Sequence, residues 1–337
     1  MPSTVPSLHD FVRDLPKCEL HVHLEGTLEP GMRVALAARN GLPVPDVSTP
    51  YDFDSLTSFL SVYYAAMTVL VQEQDFYDLA MAYVRTARDN GVIRVEAFFD
   101  PQAHTSRGVP FASVISGYSR AAADASALGI DVGLIMCFLR DLSAESAMAT
   151  LAEALPLADL LIGVGLDSDE LGNPPEKFRA VFDRARSAGL RVTVHCDVDQ
   201  QDSITHIRQA AVGIAADRID HGSNVVEDPA LVQILVDRRI ALTTCPLSNA
   251  LVADSMKSRE IVELLHAGVN VTVNSDDPAY FGGYIVDNYV ALAEDAGLDD
   301  AAVVQLARNS FLGSWASEDD KRRYLSAVEE FVATTTA

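Results

Sequence analysis

Two kinds of segment alternate along the chain. Short apolar runs recur eight times: Cys18–Leu24, Val92–Asp100, Ile130–Phe138, Leu161–Asp167, Leu190–Cys196, Arg218–Gly222, Ala241–Cys245 and Val269–Ser275. Those dominated by Val, Ile and Leu predict parallel strands buried on both faces. Between them lie Ala-rich stretches with helical periodicity, among them 110–128, 144–155, 174–188, 203–216, 229–239 and 258–267. Several stop at a glycine, as at Gly129, Gly189 and Gly268, where a left-handed cap ends a helix. Eight strand–helix alternations predict an α/β fold, a (β/α)8 TIM barrel, although a doubly wound open sheet shares the alternation.

The rhythm breaks once. Nearly seventy residues separate Leu24 from Val92, where one helix would suffice. Residues 28–40 and 55–90 have helical character, interrupted by Pro43, Pro45 and Pro50. This predicts a helical insertion at about 28–90, placed either over the mouth of the barrel or as extra packing. With helices after the eighth strand and no internal repeat or linker, 1–337 reads as a single domain.

Composition narrows the function. Lys and Arg number 25 against 48 Asp and Glu, a formal charge of −23. That balance argues against nucleic acid or an anionic membrane surface as partner. Cys18, Cys137, Cys196 and Cys245 are widely spaced, as in reduced cytoplasmic proteins. No apolar run has transmembrane length, and the N-terminal residues lack signal-peptide character. The expectation is a cytoplasmic enzyme with a small-molecule substrate. The sequence leaves a homo-oligomer open.

The candidate chemistry lies at the strand ends, where barrels of this kind build their sites. His21 and His23 stand two residues apart, so one strand aims both imidazoles at one point. Later ends carry Asp167–Glu170, His195 with Asp197 and Asp199, Asp220 with His221, and Asp276 with Asp277. Only eight histidines occur, and four of them fall at these ends; His9, His104, His206 and His266 read as structural. A His-x-His, a later His and a late Asp make a ligand set for a divalent ion, Zn²⁺ above others. Such an ion lowers the pKa of water and supplies hydroxide. His221 is then a free base or an electrostatic partner for that hydroxide.

These motifs resemble the adenosine/adenine deaminase family of the amidohydrolase superfamily, from about Leu15 to Tyr289. The resemblance rests on Leu15-Pro-Lys-Cys-Glu-Leu-His-Val-His-Leu-Glu-Gly26, Phe99-Asp-Pro-Gln-Ala-His104, Gly165-Leu-Asp-Ser168 with Gly172-Asn-Pro-Pro175, Asp220-His-Gly222, Cys245-Pro-Leu-Ser-Asn249 and Ser275-Asp-Asp-Pro-Ala-Tyr-Phe-Gly-Gly283. It is nearest the adenine deaminase branch. It implies one Zn²⁺ held by His21, His23, His195 and Asp276, and hydrolytic loss of ammonia from C6 of a 6-aminopurine. His221 would orient and help deprotonate the water, and Asp276 would also shuttle a proton. Asp277 would contact N7, with Ser168, Gly165 and Glu25 as further substrate contacts. The small deaminase fold that acts on nucleic acids is a different one, since no Pro-Cys-x-x-Cys accompanies a His-x-Glu here.

One run departs from the family. His-Ala-Gly-Glu, whose Glu protonates N1 of the purine, is replaced by His195-Cys-Asp-Val-Asp-Gln-Gln-Asp202, with about two extra residues before the next helix. Three readings follow. Asp199 or Asp197 replaces the Glu; or the acid changed with the substrate, to an N6-substituted adenine, a pterin or another amino-heterocycle; or the protein binds a purine without turnover.

Overall fold

The computed structural model describes residues 7–48, 51–196, 201–253 and 255–335. Eight parallel strands follow one another in sequence order around one sheet. They are β1 (Lys17–Glu19), β2 (Val92–Phe99), β3 (Asp131–Leu139), β4 (Gly163–Asp167), β5 (Arg191–Cys196), β6 (Arg218–His221), β7 (Ala241–Thr244) and β8 (Asn270–Val273). All eight predicted runs carry a strand, and the fold is a (β/α)8 barrel.

The first strand is shorter than its apolar run because the barrel closes there. Val22 bridges Asp276, and His23 bridges Phe98. The His23 N–H donates to the Asp276 carbonyl at 3.0 Å, and the Asp276 N–H donates to the His21 carbonyl at 3.0 Å. Nearer the base, side chains replace the ladder: Ser310 Oγ accepts from Cys18 N–H at 2.9 Å, and Asn274 Oδ1 accepts from Leu20 N–H at 2.8 Å. The His21–His23 segment is therefore the seam between β2 and β8, and it holds both imidazoles at the mouth.

Four helices flank and follow β1: α1 (Leu8–Asp14), α2 (Pro30–Arg39), α3 (Leu56–Ala66) and α4 (Glu73–Asp89). The predicted insertion does two things. Helix α4 packs against the outer helix Phe111–Ala125, so closely that a Cβ on Gly117 would lie 2.5 Å from the Glu73 carbonyl. Helix α3 lies over the mouth, tied to the end of β4 by Tyr64 O–H donating to Ser168 Oγ at 2.8 Å and Thr57 O–H to Asp169 at 2.9 Å. The stretch expected as one helix over 203–216 is an α-helix, Ser203–Arg208, continued as a π-helix, Gln209–Ile214. Among the described residues no helix is long and apolar enough to cross a membrane.

Candidate metal centre

Four imidazoles and one carboxylate meet where β1, β5, β6 and β8 end. His23 Nε2 and His195 Nε2 lie 3.1 Å apart, as do His195 Nε2 and His21 Nε2. Asp276 Oδ1 is 3.2 Å from His21 Nε2 and 3.5 Å from His23 Nε2. A tetrahedral ion with bonds of about 2.0–2.1 Å separates its ligand atoms by about 3.3 Å. The spacing of His21, His23, His195 and Asp276 thus fits one such ion. His221 stands beside this set, its Nε2 3.7 Å from Asp276 Oδ2.

The far sides of the rings fix which nitrogen faces the centre. Thr243 O–H donates to Asp220 Oδ1 at 2.8 Å, since a carboxylate only accepts. Its oxygen, 2.9 Å from His21 Nδ1, must then accept from that ring. His21 Nε2 is left with its lone pair toward the centre, the tautomer a metal requires. His195 Nδ1 faces Asp220 Oδ2 at 3.3 Å, and His23 Nδ1 faces Asp167 Oδ2 at 3.6 Å. Below, the Phe98 ring sits 5.0–5.2 Å from those of His21, His23 and His195. Buried Arg140 donates to the His195 carbonyl at 2.6 Å and holds the end of β5 in place.

Electrostatics match a cation site. Burial and neighbouring imidazoles push His195 well below its usual range, and burial takes His23 down to about 3. Burial also lowers His221. Against the cost of burial, the surrounding imidazoles hold Asp276 well below the ordinary carboxylate range. Burial disfavours a charge on His21, yet Asp276 raises it above its ordinary value. His221 and Asp276 hold φ of 61° and 64°, and Ser168 holds 72°, a left-handed conformation costing non-glycine residues about 1–3 kcal/mol each. All three lie at strand ends around the mouth.

Above the centre is a narrow chamber. His23, His195, His221, Asp276 and Asp277 line one side, Ser168, Asp100 and Asp167 another, and Leu56, Phe59, Leu60, Tyr63 and Tyr64 of α3 the roof. About 40 Å³ is open to the centre of a water molecule, room for about three waters. Asp277 reaches the chamber because residue 26 is glycine: a Cβ there would lie 2.0 Å from Asp277 Oδ1. Burial and its acidic neighbours, Asp276 foremost, push the Asp277 carboxyl above the usual range.

The remaining predicted contacts sit elsewhere. Glu25 is fully buried behind the wall, where His104 Nε2 donates to it at 2.8 Å. Arg107 in turn donates to His104 Nδ1 at 2.7 Å, which fixes that tautomer. Gly165 lies inside the barrel, where a Cβ would meet Cys137 Sγ at 2.5 Å. Asp197 and Asp199 lie outside the described residues. Sequence reasoning named Asp167 among the strand-end acids without a role, and passed over Asp100 and Tyr63, which line the chamber with it, and Thr243, which orients His21. The first two are acids at strand ends, a common and weak signal.

Comparisons with known proteins agree with this geometry. The sequence pattern of the family described as adenosine deaminase matches residues 16–331. An adenine deaminase of Zymomonas mobilis is 48% identical over 334 residues, covering 97% of this chain and 98% of that protein. An uncharacterized deaminase of Schizosaccharomyces pombe is 46% identical over 330 residues, covering 96% and 97%. The crystal structure of an adenine deaminase from Arthrobacter aurescens superposes with a TM-score of 0.91 at 42% identity, covering 95% of this chain and 99% of that one.

Proposed function

The chain belongs to the adenosine deaminase family and is a hydrolytic deaminase of C–N bonds, and from that premise we propose that its substrate is adenine, converted with water to hypoxanthine and ammonia. The observation that carries the reading is the juxtaposition of a four-donor set with a chamber lined by buried acids and by the aromatic side chains of α3. The relatives named as adenine deaminases support the choice of base.

His21, His23, His195 and Asp276 would hold one Zn²⁺. When bound, the ion makes a water acidic enough to act as a nucleophile near neutral pH. The protein supplies the proton traffic. His221, held mainly neutral by burial and close to Asp276, takes a proton from the attacking water. Oxygen bonds to C6 while N1 receives a proton, and the C6–N6 bond then breaks. Asp276 and His221 return a proton to the departing amine, which leaves as ammonia. Asp277, on the chamber wall beside Asp276, contacts N7 as a donor. Ser168 is held against the chamber wall by Tyr64.

Asp199 is the proposed donor to N1, with Asp197 as the alternative. Asp199→Asn should lower kcat more than Asp197→Asn; near-wild-type rates for both would remove the assignment. The rebuilt loop also favours a second reading, in which the substrate is an N6-substituted adenine or a pterin. Ammonia release over adenine, N6-substituted adenines, adenosine, cytosine and pterins, with the protein fully metal-loaded, decides between them. The expected winner is adenine, and absence of adenine turnover would overturn the reading.

A further inference from the structure

Asp100 follows β2 and opens a five-residue helix, Pro101–Thr105. Its carboxyl lines the chamber and is 1% exposed. The Asp167 carboxyl lies beside it, with one oxygen of each acid and a ring nitrogen of His23 all within 4.8 Å of one another. Even so, Asp100 Oδ1 has no partner, and neither does the buried Tyr63 hydroxyl beside it. Buried polar atoms are rarely left unpaired, because each costs about 1–3 kcal/mol. An unpaired acceptor on the wall of the chamber awaits a donor from whatever fills it.

Position says which donor. His23 turns Nε2 toward the metal donors and Nδ1 toward Asp167 and Asp100. Asp100 therefore lies on the side of His23 away from the centre, while Asp277 lies next to Asp276. A purine whose C6 is at the donor set carries its five-membered ring away from that set. With Asp277 donating to N7, the remaining ring N–H of the free base is at N9. A nucleoside has a sugar there instead of a proton.

We infer that Asp100 selects the free base over 9-substituted purines by accepting the N9–H of the imidazole ring. The inference rests on the proposed adenine reading and names the residue that makes it specific. A buried site built to receive a hydrogen bond rejects analogues lacking it more strongly than an apolar pocket rejects extra bulk.

Binding of purine and 9-methylpurine to the full-length, metal-loaded protein tests this without any turnover. Wild type should bind purine at least about thirtyfold more tightly than 9-methylpurine. Asp100→Ala should weaken purine about tenfold or more and move 9-methylpurine by less than about threefold. Asp100→Asn, which keeps both volume and an acceptor oxygen, should retain the preference and covers the case in which the alanine variant fails to fold. Equal affinities in wild type, an equal loss for both ligands in Asp100→Ala, or loss of the preference in Asp100→Asn would each overturn the inference. Adenine turnover, assayed on the same preparation, reports on the parent reading separately: discrimination without turnover sinks that reading alone, and turnover without discrimination sinks this one alone.

Discussion

Asp220 shows how much of a metal centre is built one layer behind its ligands. Its two oxygens accept from Thr193 at 2.6 Å and Thr243 at 2.8 Å, and it faces His195 Nδ1 at 3.3 Å. Through Thr243 it sets the tautomer of His21, and directly it orients His195. Asp220→Asn keeps the shape but offers an N–H where a hydroxyl or a ring N–H already points. Metal affinity should fall about 10–100-fold, read by titration against a chelator of known affinity. Unchanged affinity would mean that the rings are oriented by packing on Phe98 alone. That His21, His23, His195 and Asp276 would converge was legible in the sequence because histidine is scarce and the period-2 spacing of His21 and His23 has one geometric meaning. Asp167 was visible only as one strand-end acid among several and Asp100 not at all, since two acids among 48 carry no such signal until the chamber gathers them.

At the scale of elements, the turn that leaves the seam matters as much as the seam. Residues Glu25–Thr27 form a single 3₁₀ turn under the helix Pro278–Phe281. Gly26 has no left-handed φ, so alanine is allowed there by backbone, yet its Cβ would overlap Asp277. Gly26→Ala should push Asp277 aside, main chain included, since the Cβ would also lie 2.8 Å from Asp277 Cα. A displacement of about 1 Å near the reacting groups costs about a hundredfold in rate, so kcat/KM should drop by at least that order. A large fall in melting temperature with preserved kcat/KM would contradict this.

The barrel floor gives the second element-scale prediction. Glu96 on β2 accepts from Arg94 at 2.8 Å, from Arg218 on β6 at 2.7 Å and from the Trp315 N–H at 2.6 Å, all inside the barrel. Burial works against its charge, but Arg218 and Arg94 hold the carboxyl below its ordinary range. Glu96→Gln leaves the buried Arg218 without its close anion, while Arg94 keeps Asp131, and should cost about 3 kcal/mol at neutral pH. The sign with pH follows. A depressed native pKa means the stabilisation is fully present above the unfolded value of about 4.3 and is lost as pH falls through the native one. The gap between wild type and Glu96→Gln in urea denaturation should therefore close in acid, and a gap independent of pH would remove the ionic account. The strands themselves were readable as apolar runs, but this cluster was not. Arg94, Glu96 and Arg218 meet only once the sheet curls, and no local pattern ties residue 96 to residue 218.

Over the whole molecule, the charge of −23 acts in two opposite ways on two measurable quantities. Excess like charge repels itself, and the repulsion is long-ranged at low salt, where the Debye length is about 30 Å at 0.01 M against about 8 Å at 0.15 M. Raising KCl over that range should lift the melting temperature of the metal-saturated protein by a few degrees. Adenine is uncharged near neutral pH, so the same field neither draws it in nor holds it off. Its kcat/KM should stay within about twofold over the same salt series. A charged substrate behaves otherwise: a cation would lose kcat/KM as salt screens its attraction, and an anion such as a nucleotide would gain it. A steep slope of either sign for the best substrate in the ammonia-release panel would therefore argue against a neutral base, whatever the chamber admits by size, and the sign would tell which charged class to test next.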